Sequence, residues 1–411
     1  MISSSSLMTT TTAERVTSVK ASLWDVVVVG AGPAGAAAAT KLGKNGLRVL
    51  LLDREDFPRP KVCGCCLSPL ALNELNILSH QSPSPLNLQI QPLSWLTVAS
   101  KGHSTCLPYT TGGFLSRLSL DTQLATHAVA SGTTWLPNTR ALNWHSDDKR
   151  ILLTIETDGV TPYTIQTQRL LLATGLHNTV RCNNRTEHLK PTRPKRPPNN
   201  RIGIGATLPA NAGRLSLKHL IMAIGDGGYC GLIRLEDNTI DVAAALHPSK
   251  LRIAGSPAKA LTLILSQAFY DNTCPIDLAK LQKAPIRATP QLTHHTGTTD
   301  SACDRVFRIG DAVGYIEPFT GEGIGWSLLS ARLATDALVT EAGSLRPADE
   351  ATARYHHTYH SALSKHHRRC RLVSCALRSP WLVSTSIQLS NKFPRATRSV
   401  AGLITGSSLN G

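Results

Sequence analysis

Apolar positions along this chain follow two rhythms, one unbroken and one alternating. Trp24 to Asp53 reads WDVVVVGAGPAGAAAATKLGKNGLRVLLLD. Val26 to Val29 form an unbroken β-branched run, as a parallel strand covered on both faces requires, and Gly30 ends it. Small residues opening near Pro33 predict a helix, and Leu47 to Leu52 predict a second buried strand that stops at Asp53. Leu93 to Tyr109 then reads as a strand or hairpin, Ser119 to Ser131 as a helix, and Arg150 to Leu172 as two strands about a turn at Asp158 and Gly159. Arg169 to Ala173 is a short buried strand that halts at Gly175. Arg201 to Pro209, Tyr229 to Arg234 and Thr239 to Leu246 are strand-like, and Leu251 to Tyr270 has helical spacing. Arg305 to Ile309 is a last short strand that delivers Gly310 and Asp311.

At 411 residues the chain exceeds one ordinary domain, so two lobes are expected. Hydrophobic residues make up 41% and charged residues 17%, a globular balance. No apolar run nears the roughly 20 residues that cross a bilayer. The Ser/Thr-rich residues 1–22 predict a disordered leader, and without a secretory pattern the expected location is cytoplasmic. Ten scattered cysteines predict free thiols. The net charge of +16 concentrates in two places. Lys190 to Arg201 is broken by prolines and reads as a solvated loop. Arg354 to Arg371 is a candidate helix with a basic face. With the Trp381 and Phe393 segments that follow, it is a candidate peripheral contact with the inner face of a membrane. Neither stretch has interleaved aromatics, so nucleic acid is not an expected partner. Oligomeric state leaves no signal in the sequence.

The glycines after the first strand carry the strongest chemistry. Gly30 permits a tight turn, Gly32 lets a pyrophosphate approach the backbone, and Gly35 lets the helix press on the sheet. The helix opening at Pro33 and Ala34 aims free N–H groups and a positive dipole end at phosphates. Asp53 stands where a carboxylate can accept both hydroxyls of an adenosine ribose. A second motif, GDAVGYIEPFTGEGIGWSLLSARLATDAL from Gly310, places an acid and a glycine loop at another strand end, ahead of a helix. Gly203 to Ala206 lacks the third glycine of a second fingerprint and reads as plain strand.

GAGPAG at 30–35, Asp53-Arg54, RPKVCG at 59–64 and GDAVGYIEPFTGEGI at 310–324 together resemble the FAD-dependent oxidoreductases of the p-hydroxybenzoate hydroxylase fold. The Cys-Gly pair and the TGEGI loop are most similar to the geranylgeranyl reductase branch. The resemblance implies an α/β fold with a Rossmann-like, glutathione-reductase-type FAD-binding lobe, an inserted mixed β-sheet substrate lobe and a helical C-terminal region. The expected division is 23–84, 110–185 and 300–345 for the FAD lobe, 85–109 and 186–299 for the substrate lobe, and 346–411 for the basic helical region. Gly30, Gly32, Pro33, Ala34, Gly35, Asp53 and Arg54 would hold the ADP half of FAD. Gly310 and Asp311 would hold the ribityl chain, and Gly321, Gly323 and Gly325 the flavin ring. Arg117 matches an arginine that approaches FAD in the family, though a helix-start ion pair with Asp121 explains it equally. Family members usually carry an Asp-Gly pair where this chain has Thr174-Gly175, so the electron donor is NAD(P)H or another reductant.

Cys63-Gly64-Cys65-Cys66 departs from the family's glycines and contains a CxxC pair. A metal site needs further ligands, and no second CxxC exists, so no metal is expected. Disulfide reductases place a cysteine pair at the same point but carry a second nucleotide fold. Cys63 and Cys66 are therefore candidates for redox participation and, with Cys65, small residues lining a flavin pocket. Uncharged stretches around Met222 and Tyr229 suit a small apolar or aromatic substrate, with Tyr229 as candidate proton donor. The expected activity is hydride transfer through flavin N5 to or from an unsaturated, largely apolar isoprenoid, lipid or polyketide-like substrate. The alternatives are a monooxygenase acting on an aromatic or polyketide ring through a flavin hydroperoxide, and a membrane-surface flavin electron carrier. The chain lacks the WxWxIP signature of flavin halogenases.

Overall fold

In the computed structural model of this chain, the described residues are 12–80, 86–147, 149–177, 180–183, 200–270, 273–300, 303–317, 319, 321–376 and 379–392. Leu23–Val29 is the middle of five parallel strands. It pairs with Val49–Leu52 on one side and with the second half of Tyr163–Leu172 on the other. Thr134–Leu136 extends the row past the first, and Cys303–Arg308 past the second. Parallel pairing puts all five C-terminal ends on one rim, so Gly30, Asp53, Ala173 and Gly310 meet although Gly30 and Gly310 are far apart in sequence. Such a rim is where open α/β sheets bind ligands.

The unbroken valine run follows from burial on both faces. Val26 and Val28 face a helical layer formed by Pro33–Lys44, Pro69–His80, Arg117–Ala130, Gly323–Leu338 and the first half of Ala348–Ala376. Val27 and Val29 face a cluster with Trp144, Ile151, Leu153 and Tyr163 from the antiparallel strands Thr139–Ser146, Ile151–Thr157 and Tyr163–Leu172. No side of the run Val26 to Val29 is left for polar residues.

A second, seven-stranded sheet runs in the order Arg287–Gln291, Ile202–Leu208, Ile240–Leu246, Gly228–Arg234, His219–Gly225, Trp95–Ser100, His103–Pro108. One face packs on Pro257–Ala268. The other carries Leu96, Leu220, Met222 and Tyr229 toward the parallel-sheet rim. His219–Gly225 escaped the sequence reading because it is apolar on both faces and lacks alternation.

Three further expectations need correction. The helical spacing of Leu251 to Tyr270 is two helices, Pro248–Ala254 and Pro257–Ala268, broken where Gly255 turns left-handed (φ 77°) and Ser256 caps the second. The leader is not disordered throughout: Thr12–Ala21 is helical, with Val19 buried and its carbonyl accepting from Trp24 Nε1 at 3.2 Å. Residues 190–199 of the basic stretch and the Phe393 segment lie outside the described residues, but Arg201 is buried, not solvated. Among the described residues, no helix is long and apolar enough to cross a membrane.

Candidate functional site

Backbone contacts leave no room for side chains at Gly30 and Gly35. Gly30 has φ 102°, and a Cβ there would lie 2.4 Å from Ala173 O; a Cβ on Gly35 would lie 1.8 Å from Gly30 O. At Gly32 the nearest atom to an added Cβ is Arg117 Nη2 at 3.9 Å, so backbone N–H groups at the start of Pro33–Lys44 face open space. Asp53 braces this turn as well as facing the cavity. Its Oδ2 accepts from Ala31 N at 2.8 Å and Arg59 Nη2 at 3.3 Å, and its Oδ1 accepts from Glu55 N at 3.1 Å.

Arg117, first residue of its helix, makes a two-pronged contact with buried Asp121, Nε to Oδ1 and Nη2 to Oδ2, each 2.7 Å. It also lines the cavity, so the ion pair and the approach to ligand coexist in one residue. Cys63 stands beside it. A hydrogen bond from Cys65 and the charge of Arg117 outweigh burial and bring the Cys63 thiol down to about 6. Burial pushes the Cys66 thiol up, so the two cysteines of the CxxC pair differ in character. Burial, and then the charges of Arg59, Arg117 and Arg54, lower the pKa of Lys61. All four cations belong to one anion-seeking corner.

Across the rim, Asp311 follows the left-handed Gly310 (φ 61°) and accepts from Ser327 Oγ at 3.3 Å. Burial raises its pKa, against the pull of Arg117 and His294. Gly321 and Gly323 lie in the loop that enters Gly323–Leu338, and that helix aims its N-terminus at the cavity.

From the second sheet, Tyr229 meets Phe319 edge-on, with ring centroids 5.1 Å apart, under the Arg201 guanidinium at 5.5 Å. Arg201 Nη1 donates to Glu317 Oε1 at 2.7 Å, and both side chains are buried. Burial and the Glu317 carboxylate raise the Tyr229 pKa, so its hydroxyl keeps its proton.

These parts enclose one cavity of about 300 Å³. Every predicted site residue lines it except Gly35 and Gly325. Gly325 does not face a ring: a Cβ there would meet Ala71 N at 2.9 Å and Ser68 Oγ at 3.1 Å, so it serves the packing of two helices. Cys65 is also removed from the predicted lining, because its left-handed backbone (φ 56°) buries the thiol with Leu93 and Phe114. Arg181 lies exposed on an edge strand, away from Thr174.

Sequence reasoning missed Arg201, Glu317 and Asp241. Arg201 was hidden at the end of a basic run, whereas Glu317 stands in the second motif itself. Asp241 is buried in a strand with Oδ2 unpartnered and its pKa raised, by burial and then by Cys63. A lone acid in the apolar run IDVAAAL was the available signal.

The donor set fits FAD. Arg59 Nε and Nη1 and Thr174 Oγ1 are buried in the cavity wall without protein partners, which a ligand rich in phosphate and hydroxyl oxygens satisfies. The family description "Pyridine nucleotide-disulphide oxidoreductase" matches residues 24–232. The chain belongs to that family. It is a flavin-dependent oxidoreductase that uses FAD. It is 26% identical over 335 residues to a menaquinone reductase of Mycolicibacterium smegmatis, covering 78% of this chain and 77% of that one. A geranylgeranyl bacteriochlorophyll reductase-like protein from Thermoplasma acidophilum superposes with TM-score 0.69 at 16% identity, covering 93% and 99%. A flavin-dependent brominase superposes equally, at 14% identity over 94% of each chain, which shows a shared fold.

Proposed function

We propose that this enzyme passes hydride between FAD and an unsaturated, largely apolar substrate of isoprenoid, lipid or polyketide type. The observation that carries the reading is the continuity of the cavity, in which the polar rim runs directly into a wall of Leu96, Leu220, Met222 and Ala244. Likeness to a menaquinone reductase and to a geranylgeranyl bacteriochlorophyll reductase-like protein supports a reductive reaction. Absence of WxWxIP from the sequence argues against halogenation.

Bound FAD supplies two-electron transfer. This chain's residues do the rest. Gly30, Gly32 and the N-terminus of Pro33–Lys44 would take the pyrophosphate, with Arg59 and Arg117 beside them. The N-terminus of Gly323–Leu338 favours negative charge at the cavity's centre. Tyr229, kept protonated, offers a proton to substrate from the apolar wall, and the Arg201–Glu317 pair holds its ring in place.

The test is anaerobic. Dithionite-reduced enzyme mixed with an isoprenoid quinone or a polyprenyl alkene should regain oxidised-flavin absorbance as reduced product forms. Product that appears only after O2 is admitted replaces this reading with a monooxygenase. The low pKa of Cys63 favours a second reading, thiol redox, which predicts that Cys66→Ser loses turnover while the flavin spectrum is intact. Retained turnover removes it.

A further inference from the structure

No Asp or Glu follows Glu350, whereas nine Lys and Arg do. Such one-sided charge needs a counterpart. The first half of Ala348–Ala376 is committed to the core through Tyr355, Tyr359 and Leu363. Its last turns pass the cavity loop, where Cys370 Sγ and Ser374 Oγ donate to Glu317 O at 3.3 and 3.1 Å. Pro380–Lys392 then lies along the hairpin Trp95–Pro108, pinned at one end by Ser100 Oγ to Pro380 O at 3.5 Å and at the other by Asn391 Nδ2 to Ser104 O at 3.0 Å.

The two sides of this second helix differ in a way the core does not explain. Inward, Ser384 and Ile387 are buried, and Ile387 joins the cluster containing Leu96, Leu220, Met222 and Tyr229 of the cavity wall. Outward, Trp381 is 62% exposed, Leu382 49% and Leu389 53%, and Leu372 at the end of the preceding helix is 73% exposed. Exposed Arg368, Arg371 and Lys392 flank them, and Lys101 extends the same sign onto the hairpin beneath, which carries no acid. Large exposed apolar side chains on a segment that carries cations and no acid match the boundary of an anionic bilayer, where tryptophan and leucine enter the acyl edge and basic groups meet phosphates. A polyanion alone gives no reason for the exposed Trp381 and leucines.

We infer that the outer face of Pro380–Lys392, with Leu372, is a membrane-docking surface selective for anionic phospholipid. The helix lies in the interface plane, and its inner side backs the apolar end of the cavity. A lipid-borne substrate therefore has a short path from bilayer to site. That consequence rests on the hydride-transfer reading; the docking itself does not.

The test is flotation of the full-length FAD-loaded protein with phosphatidylcholine vesicles, with and without phosphatidylglycerol, at low and high salt. Binding should require phosphatidylglycerol and weaken with salt. The triple variant Trp381→Ser, Leu382→Ser, Leu389→Ser should bind at least tenfold less with unchanged flavin content. The double variant Arg371→Glu, Lys392→Glu should lose phosphatidylglycerol dependence, which keeps the idea testable if the triple variant misfolds. No binding to anionic vesicles overturns the inference. So does equal binding by wild type and the triple variant, which marks a general polyanion contact. A dimer in vesicle-free sedimentation that the triple variant dissolves also overturns it, because the face is then covered by a second copy.

Discussion

The parallel-sheet rim and the inner face of the second sheet line the same cavity, yet they are specified by different physics. At the rim, backbone touches backbone: a methyl at Gly35 would sit 1.8 Å from a carbonyl oxygen that cannot move without the whole turn. On the second sheet, a methyl at Gly231 would lie 3.2 Å from Met222 Sδ, the end of a flexible side chain. At these two positions one wall rejects a methyl and the other absorbs it. On the proposed function, the rigid rim takes the dinucleotide and the second sheet faces the substrate, so that reading assigns substrate specificity to the second sheet.

Gly35→Ala attacks the rigid wall and should have the largest effect. Overpacking of about 3 kcal/mol at this contact corresponds to a loss of roughly a hundredfold in FAD affinity. The purified variant should be colourless, and added FAD should keep its free fluorescence. A yellow variant would show that the turn can yield, and the contrast between the walls would fail.

Tyr229→Phe attacks the permissive wall at its candidate proton donor. Loss of a proton donor should lower kcat by about a hundredfold, while flavin content and KM change little. Because the Tyr229 pKa is raised, wild-type kcat should show no loss on the alkaline side near pH 10, where an ordinary tyrosine deprotonates. A fall in both flavin content and kcat would make Tyr229 a structural residue.

Legibility in the sequence divided along the same line. Gly30, Asp53 and Gly310 were readable because each answers a local backbone demand, and a local demand leaves a residue type at a fixed spacing. The parallel strands were readable for a related reason, since burial on both faces leaves Val26 to Val29 no alternative. Arg201 and Glu317 were not, because a buried ion pair across 116 residues depends on where two loops meet in space. His219–Gly225 and the break at Gly255 were missed where burial is uniform or a single left-handed residue interrupts a helical rhythm. Cys65 was misplaced because the inward turn of one thiol among three depends on its φ angle, which no spacing records.

Cys63 tests the electrostatics of the rim. Its thiol is depressed to about 6, so thiolate forms as pH rises past that value and is nearly complete at pH 7, where an ordinary cysteine is a few per cent ionised. Its contribution to stability has the matching sign: full above about pH 8.5, where an unfolded thiol ionises, and lost as pH falls through about 6. Iodoacetamide should label Cys63 of flavin-free protein with a midpoint near pH 6 and leave Cys66 unlabelled, as read by peptide mass. Removing Arg117 as Arg117→Met should shift that midpoint upward. A wild-type midpoint near 8.5 would mean that neither the Cys65 hydrogen bond nor Arg117 stabilises the thiolate.

Gly231→Ala should have the smallest effect and is the sharpest check on the comparison. Its backbone is ordinary extended strand, so alanine carries no conformational penalty, and the added methyl meets only Met222 Sδ closely. Met222 can swing aside, but both residues line the cavity, so the space it takes comes from the substrate. Thermal stability and flavin content should therefore match wild type, while KM for a bulky substrate rises by a few-fold, the scale of about one methylene of lost pocket. If KM is unchanged and flavin is lost instead, the second sheet helps to hold the cofactor, and the division of labour between the two walls is wrong.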